Sequence, residues 1–212
     1  THQNVVLGVV PMFHITGIVM VMHGCFGNGC TMVLMPRWDR ELAGKLISRR
    51  RVTHWTNIPT MVIDLLASPN FNRYDLTSLV YIGGGGAAMP QAVAQKLQDL
   101  YGLNYVEGYG LTETAAPSHS NPYHRPKRQC AGIPYVNTDS RVLDPMDFRE
   151  LGPGEVGEIG TRGGLLMLGY FNNQMATESS FNASGWFMSG DLGRVDAQGN
   201  LQIVGRKKDL II

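Results

Sequence analysis

At 212 residues, 43% of them hydrophobic, the chain is long enough to bury one large core or two small ones. Its 18 lysines and arginines nearly balance its 17 aspartates and glutamates, which argues against a nucleic-acid surface or an acidic partner. Cys25, Cys30 and Cys130 lack disulfide or metal spacing, so a reducing compartment and a cytoplasmic location are expected. The most apolar region, Ile15 to Met35, is broken by His23, Asn28 and several glycines and does not read as a spanning helix. No signal peptide opens the chain. Thr1 begins it without a methionine and Ile212 ends it inside an apolar run, so it reads as a piece of a longer protein.

Val5 to Val10, β-branched and closed by Pro11, predicts a buried strand. The loop Pro11 to Gly17 follows. Its His14 suits a pocket for a carboxylate, although a single histidine taken alone is more often a structural residue. A helix is expected over about Gly17 to Phe26 and a strand over Thr31 to Met35. Asp39 is an N-cap for a helix to about Arg50, with Leu42, Ala43, Leu46 and Ile47 facing inward. The basic run Arg49-Arg50-Arg51 fits the end of that helix. Val52 to Thr56 is strand-like, and Pro59 opens a helix to about Leu66. A polar loop occupies Ser68 to Asp75.

Leu79 to Ile82 predicts a further strand, followed by Gly83-Gly84-Gly85-Gly86-Ala87-Ala88. A planar ligand can lie on a backbone so bare of side chains, although a flexible loop has the same composition. Pro90 to Tyr101 predicts a helix with Val93, Leu97 and Leu100 inward, stopped by Gly102. This alternation of strands and helices predicts an α/β fold, a parallel sheet flanked by helices.

The strand-like run Leu103 to Val106 leads into Gly108-Tyr109-Gly110-Leu111-Thr112-Glu113-Thr114. Glycines on both sides of Tyr109 permit a sharp turn close to a ligand, and the ring offers a stacking face. Thr112 supplies a hydroxyl donor for a phosphate or carboxylate, and Glu113 a hard oxygen of the kind magnesium prefers. A tight polar turn without a ligand fits the same string. Beyond about Gly132 the pattern changes. Short alternating strands at 139–143 and 155–161, and a hairpin of 185–195 with 201–204 around Asp196 to Asn200, predict a small antiparallel β-subdomain.

Motifs over nearly the whole chain resemble, in order, those of the adenylate-forming superfamily of acyl-CoA synthetases, aryl-CoA ligases, luciferases and peptide-synthetase adenylation domains. Thr1 to Asn4 resembles the segment after that family's phosphate-binding loop. Pro11 to Gly17 resembles the loop whose histidine borders the acyl carboxylate, which gives His14 that catalytic and substrate-binding role. Gly83 to Pro90 resembles the adenine and acyl-pocket motif, with Gly86 and Ala87 at the contact positions. Gly108 to Thr114 resembles the core motif. There Glu107, Gly108 and Tyr109 would bind the nucleotide, Thr112 the AMP phosphate, and Glu113 the metal.

Gly169 to Asn172 and Gly185 to Asp191 look like the next signature, in which Asp191 accepts hydrogen bonds from the ribose hydroxyls. Gly205 to Asp209 resembles the closing motif, in which Arg206 contacts the nucleotide and Lys208 is the hinge. Taken alone, Asp191 and Arg206 are surface charges. The resemblance divides the chain into an α/β subdomain (1–134), a β-rich subdomain (135–205) and the start of a hinge (206–212). A phosphate-binding loop and a lysine-bearing C-terminal domain would lie elsewhere, so the piece by itself is expected to be inactive.

The implied reaction uses ATP, Mg2+ and coenzyme A to convert a carboxylic acid to acyl-AMP and then to a thioester. Pro122 to Pro134 resembles bacterial long- and medium-chain fatty acyl-CoA ligases, which implies a fatty acid substrate and peripheral membrane contact. Asn57 is atypical of the acyl site. An aryl-CoA ligase and a luciferase-like oxygenase share these motifs, and a non-catalytic AMP or acyl-adenylate-binding module would keep Tyr109, Asp191 and Arg206 but need not keep Glu113. An exposed sheet edge would favour self-association.

Overall fold

Side chains alternate along β1 (Val5–Gly8), and both faces of the strand are covered. Leu7 enters a core with Ile47, Trp55, Leu65, Ile82 and Leu97, whereas Val6 packs with Val21 and Cys25. Burial on two faces is the condition of a parallel strand between helical layers. The computed structural model describes residues 3–209. Thr1 and His2, which begin the first motif, and residues 210–212 of the expected hinge lie outside the described residues. The chain forms two compact units, Thr1–Glu107 with Tyr123–Gln129, and Gly108–Pro122 with Cys130–Ile212.

In the first unit a π-helical stretch, Gly17–His23, runs into α1 (Gly24–Asn28). It is followed by β2 (Thr31–Leu34), α2 (Arg40–Arg50), β3 (His54–Asn57), α3 (Pro59–Leu66), β4 (Tyr81–Gly84) and α4 (Gln91–Tyr101). The start of β5 (Tyr105–Leu111) completes a parallel sheet in the order β2-β1-β3-β4-β5. The expected helix over Gly17 to Phe26 is therefore only partly α-helical: Gly24 N–H donates to Val19 O, five residues back. The Asp39 carboxylate caps α2 by accepting from Leu42 N at 2.8 Å. Leu42 itself is exposed, and Ala43, Gly44 and Ile47 form the inner face instead. On α4 the inner face is Ala94 and Leu97, with Leu100 half exposed.

β4 begins two residues later than the sequence pattern suggests, because Val80 N and Tyr81 N both donate to Thr53 O. Gly83 and Gly84 thus lie inside the strand. A Cβ on Gly84 would stand 1.8 Å from the Asn57 carbonyl oxygen, so strand packing alone requires glycine there. Asn57 is fully buried. It donates to Trp55 O and accepts from the Tyr105 hydroxyl at 3.1 Å, which makes it a sheet-internal tie rather than a pocket wall.

In the second unit the end of β5 pairs antiparallel with β6 (Ala116–Ser120), which pairs with β7 (Ile133–Pro134). A four-stranded antiparallel sheet follows in the order β11-β10-β9-β8, from β8 (Thr138–Leu143), β9 (Gly157–Gly163), β10 (Phe187–Val195) and β11 (Leu201–Arg206). Ala131, Val142, Leu151, Ile159 and Leu201 form its core. The β10–β11 turn is fixed by the Asp196 carboxylate, which accepts from Gln198 N at 2.9 Å and Asn200 N at 2.8 Å. The short helix α5 (Gln174–Ser179) precedes β10. No helix among the described residues is long and apolar enough to cross a membrane.

His119 on β6 is 1% exposed, and burial lowers its pKa from 6.5 to about 4. Its ring nitrogen Nδ1 lies 3.0 Å from Ser118 Oγ, and the ring centroid 5.9 Å from that of Tyr109. It is a neutral core residue at physiological pH.

Two outcomes test this packing. Gly84→Ala should lower stability by roughly 3 kcal/mol or more. Gly102→Ala, at a left-handed but open helix end, should lower it by only about 1 kcal/mol. Urea unfolding followed through Trp38 and Trp55, whose rings stack at 5.7 Å, compares them, and equal losses would contradict the close approach. For His119, the unfolded chain binds a proton near pH 6.5 and the folded chain only near 4. Stability should therefore fall as pH drops across that interval, by on the order of 3 kcal/mol, and level off below it. The buried Glu107 carboxyl, raised by desolvation, acts with the opposite sign, so the comparison is with His119→Gln. That variant should lose the His119 share of the slope, and an unchanged pH profile would mean the imidazole is not dry.

Candidate functional site

Tyr109 lies within β5, not in a turn after a strand as its flanking glycines suggest. The glycines serve close packing: a Cβ on Gly110 would fall 1.9 Å from Ala116 O, and the β5–β6 register shifts between Tyr109 and Gly110. The Tyr109 hydroxyl donates to Asp191 Oδ2 at 2.7 Å. Arg206 Nε reaches the other oxygen of the same carboxylate at 3.1 Å. Asp191 and Arg206 face each other across β10 and β11, and β10 is bulged on both sides of Leu192. Gly190 takes φ +72° in this bend, and Asp191 N donates to Ser189 Oγ.

Asp191 is only 5% exposed, so it is no surface charge, although Arg206 is exposed. Burial, and beside it the Asp191 charge, push the Tyr109 phenol well above its ordinary range and keep it a hydrogen-bond donor. Among the described residues each carboxylate oxygen has one partner and retains acceptor capacity, which suits a ligand that presents two hydroxyls.

Beyond Tyr109 the chain makes a single helical turn, Thr112–Thr114. Thr114 Oγ1 closes it, accepting from Leu111 N at 2.9 Å and donating to Ala116 O at 2.8 Å. Ala115 (φ 50°) and Ala116 (φ 88°) follow in the left-handed region, a conformation rarely held by two successive non-glycine residues. The turn leaves Thr112 exposed and Glu113 half-buried. Glu113 O accepts from Met167 N at 2.8 Å, and Glu113 Oε1 accepts from the Tyr170 hydroxyl at 2.7 Å. Among the described residues no group of three or more His, Cys, Asp or Glu side chains is placed to hold a metal. A lone carboxylate with one oxygen uncommitted fits a hard cation that completes its shell with phosphate oxygens and water.

The remaining predicted residues belong to the first unit, apart from Lys208 and from Gly108, which precedes Tyr109 within β5. Glu107 is buried and accepts from Met89 N at 3.2 Å and Gln129 N at 2.7 Å, which anchors the segments after β4 and before Cys130. Gly86 takes φ +85°, where a Cβ would make only an ordinary contact with Ile58 Cγ2 at 3.9 Å, and Ala87 is exposed beside it. The left-handed conformation therefore accounts for Gly86, as strand packing does for Gly84. His14 is exposed just before the helical turn, where its Nδ1 accepts from Thr16 N at 3.2 Å. Lys208 is exposed in the short turn Lys207–Asp209.

Sequence reasoning passed over a second buried carboxylate in the second unit. Glu158 accepts from Lys207 Nζ at 2.7 Å and from Gly190 N at 3.0 Å. The adjacent Arg206 and Lys207 thus reach two neighbouring dry carboxylates. The only signal was two adjacent cations after a strand, and the partner Glu158 sits in an alternating strand where it reads as outward-facing. Tyr170 was quoted as part of a motif but given no role.

The sequence matches the AMP-binding enzyme family over residues 1–171. It is 36% identical over 208 residues to the long-chain-fatty-acid–CoA ligase of Bacillus subtilis, covering 98% of this chain and 37% of that protein. It is 32% identical over 213 residues to 4-coumarate–CoA ligase-like 9 of Arabidopsis thaliana, covering 99% of this chain and 38% of the relative. Its fold matches O-succinylbenzoate coenzyme A synthetase from Bacillus subtilis, solved with ATP and magnesium, with a TM-score of 0.88 and 31% identity over all of this chain and 43% of the other. The chain thus spans about two-fifths of the length of these relatives. It belongs to the AMP-binding enzyme family.

Proposed function

We propose that this chain is the nucleotide-binding part of a ligase that activates a fatty acid as acyl-AMP and passes it to coenzyme A. The observation that carries this reading is the buried Asp191 carboxylate held between the Tyr109 hydroxyl and the Arg206 guanidinium. A substrate carboxylate attacks the ATP α-phosphorus, forming the acyl–phosphate mixed anhydride of acyl-AMP as the bond to pyrophosphate breaks. The coenzyme A thiol then attacks the acyl carbon, its proton leaves to solvent, and AMP departs.

Both reactants of the first step are anionic, so charge neutralisation and positioning dominate the barrier. Magnesium, held by Glu113 and phosphate oxygens, would supply that neutralisation when bound. Tyr109 gives the adenine a stacking face, Asp191 accepts from the ribose hydroxyls, and Arg206 adds positive charge at the ribose and phosphate. Thr112 donates to the AMP phosphate. His14, Gly86 and Ala87 keep the substrate-side roles that their motifs imply, Glu107 and Gly108 support the nucleotide site, and Lys208 is the hinge position.

The fatty acid is favoured over an aryl acid by the higher identity to the fatty acid ligase, 36% against 32%. Turnover of an aryl acid such as 4-coumarate in preference to fatty acids of any length would assign the protein to the other group.

Titration calorimetry with AMP tests the nucleotide site. Asp191→Asn keeps the shape but removes the charge, and Tyr109→Ala removes the ring. Each should weaken AMP binding by about tenfold or more. Parent-like affinity in both variants would contradict the assignment, as would a parent chain that does not bind AMP.

A further inference from the structure

Glu113 is held from two sides by one segment, and that segment is itself anchored. Met167 N–H holds the Glu113 carbonyl, and the Tyr170 hydroxyl donates to its carboxylate. Tyr170 N donates to Thr177 Oγ1 at 2.8 Å, and Thr177 Oγ1 donates to Asn173 O at 3.0 Å. Asn173 caps α5 by accepting from Ala176 N at 3.1 Å. A Cβ on Gly169 would press within 2.9 Å of Thr177 Cγ2, so the chain before Tyr170 lies tight against α5.

A glutamate on an open turn has several rotamers, and ordering them opposes metal capture. The phenol removes that freedom by occupying Oε1, and no described residue takes Oε2. A neutral donor also leaves the carboxylate its full charge, whereas a lysine or arginine there would compete with a cation.

We infer that Tyr170 is a positioning residue for magnesium: anchored on α5, it presents the Glu113 carboxylate in one orientation with one oxygen uncommitted. The inference rests on the proposed role of Glu113 as the metal carboxylate. It gives Tyr170 a task distinct from contact with substrate, and it makes the 166–173 segment part of the metal site.

The test is calorimetric titration of ATP over a series of Mg2+ concentrations with the parent, Tyr170→Phe, Glu113→Gln and the double variant. Tyr170→Phe should raise the Mg2+ concentration for half-maximal ATP affinity about three- to tenfold, the net worth of one solvent-accessible hydrogen bond. Its ATP affinity at saturating Mg2+ should stay parental. In the Glu113→Gln background the same substitution should add nothing, an outcome that a general structural defect would not give.

An unchanged Mg2+ midpoint in Tyr170→Phe, with Glu113→Gln losing its Mg2+ dependence, would overturn the inference and leave the role of Glu113 standing. Parental Mg2+ dependence in Glu113→Gln would overturn both. If Tyr170→Phe does not fold, Thr177→Val, which keeps the phenol but releases the Tyr170 amide and the Asn173 carbonyl, replaces it. A parental Mg2+ midpoint there overturns the inference, and a raised one supports it.

Discussion

A carboxylate that is almost wholly out of water must be compensated where it lies, and this requirement organises the second unit. Asp191 meets it with a phenol from β5 and a guanidinium from β11, so β5 is tied at one point to the distant β10–β11 hairpin. Removing one partner of such a group leaves a dry charge, at a cost of about 3–5 kcal/mol in comparable buried pairs. Glu158 repeats the arrangement on β9, with Lys207 and the Gly190 amide as partners. The bulge in β10 lies between these two carboxylates. Local irregularity and buried charge therefore coincide, as they do where a fold presents a polar group to a ligand rather than to its own core.

The first unit follows another constraint, the close approach of neighbouring strands. Gly84 is required by the Asn57 carbonyl, and Asn57 is required in turn by the hydroxyl of Tyr105. Trp38 stacks on Trp55 and donates to Asp64 at 2.7 Å, which joins the segment before α2 to α3. Glu41 on α2 collects Ser68, Asn70 and Tyr74, and these hydrogen bonds hold its carboxyl low, near a pKa of about 2. Polar ties of this kind fix the sheet and its helices without pointing to a ligand. The glycine run is thus divided in purpose: Gly83 and Gly84 are packing residues, whereas Gly86 is required by its left-handed backbone and meets no close neighbour.

Much of this was legible in the sequence where a local rule operates. The Asp39 cap, Pro59 at the start of α3, Gly102 at the end of α4 and the Asp196 turn are set by neighbouring atoms and were read correctly. Strand ends were not, since β4 and β5 each run into glycines that pattern alone assigns to loops. Whether a glycine turns the chain or admits a neighbouring strand depends on partners far away in sequence, as Ala116 O for Gly110 illustrates. The approach of Tyr109, Asp191 and Arg206 was legible only through the motif resemblance, because composition at those positions reads as ordinary surface charge. The Glu158–Lys207 pair and the Tyr170–Glu113 bond had no local signature, each joining residues about fifty positions apart.

The central claim is that the Asp191 carboxylate is an acceptor for the two hydroxyls of a ribose. A crystal structure of the protein with AMP bound tests it most directly. The account predicts both ribose hydroxyls within hydrogen-bond distance of the Asp191 carboxylate, with Tyr109 beside the adenine ring. AMP bound elsewhere, with Asp191 still engaged only by Tyr109 and Arg206, would contradict it.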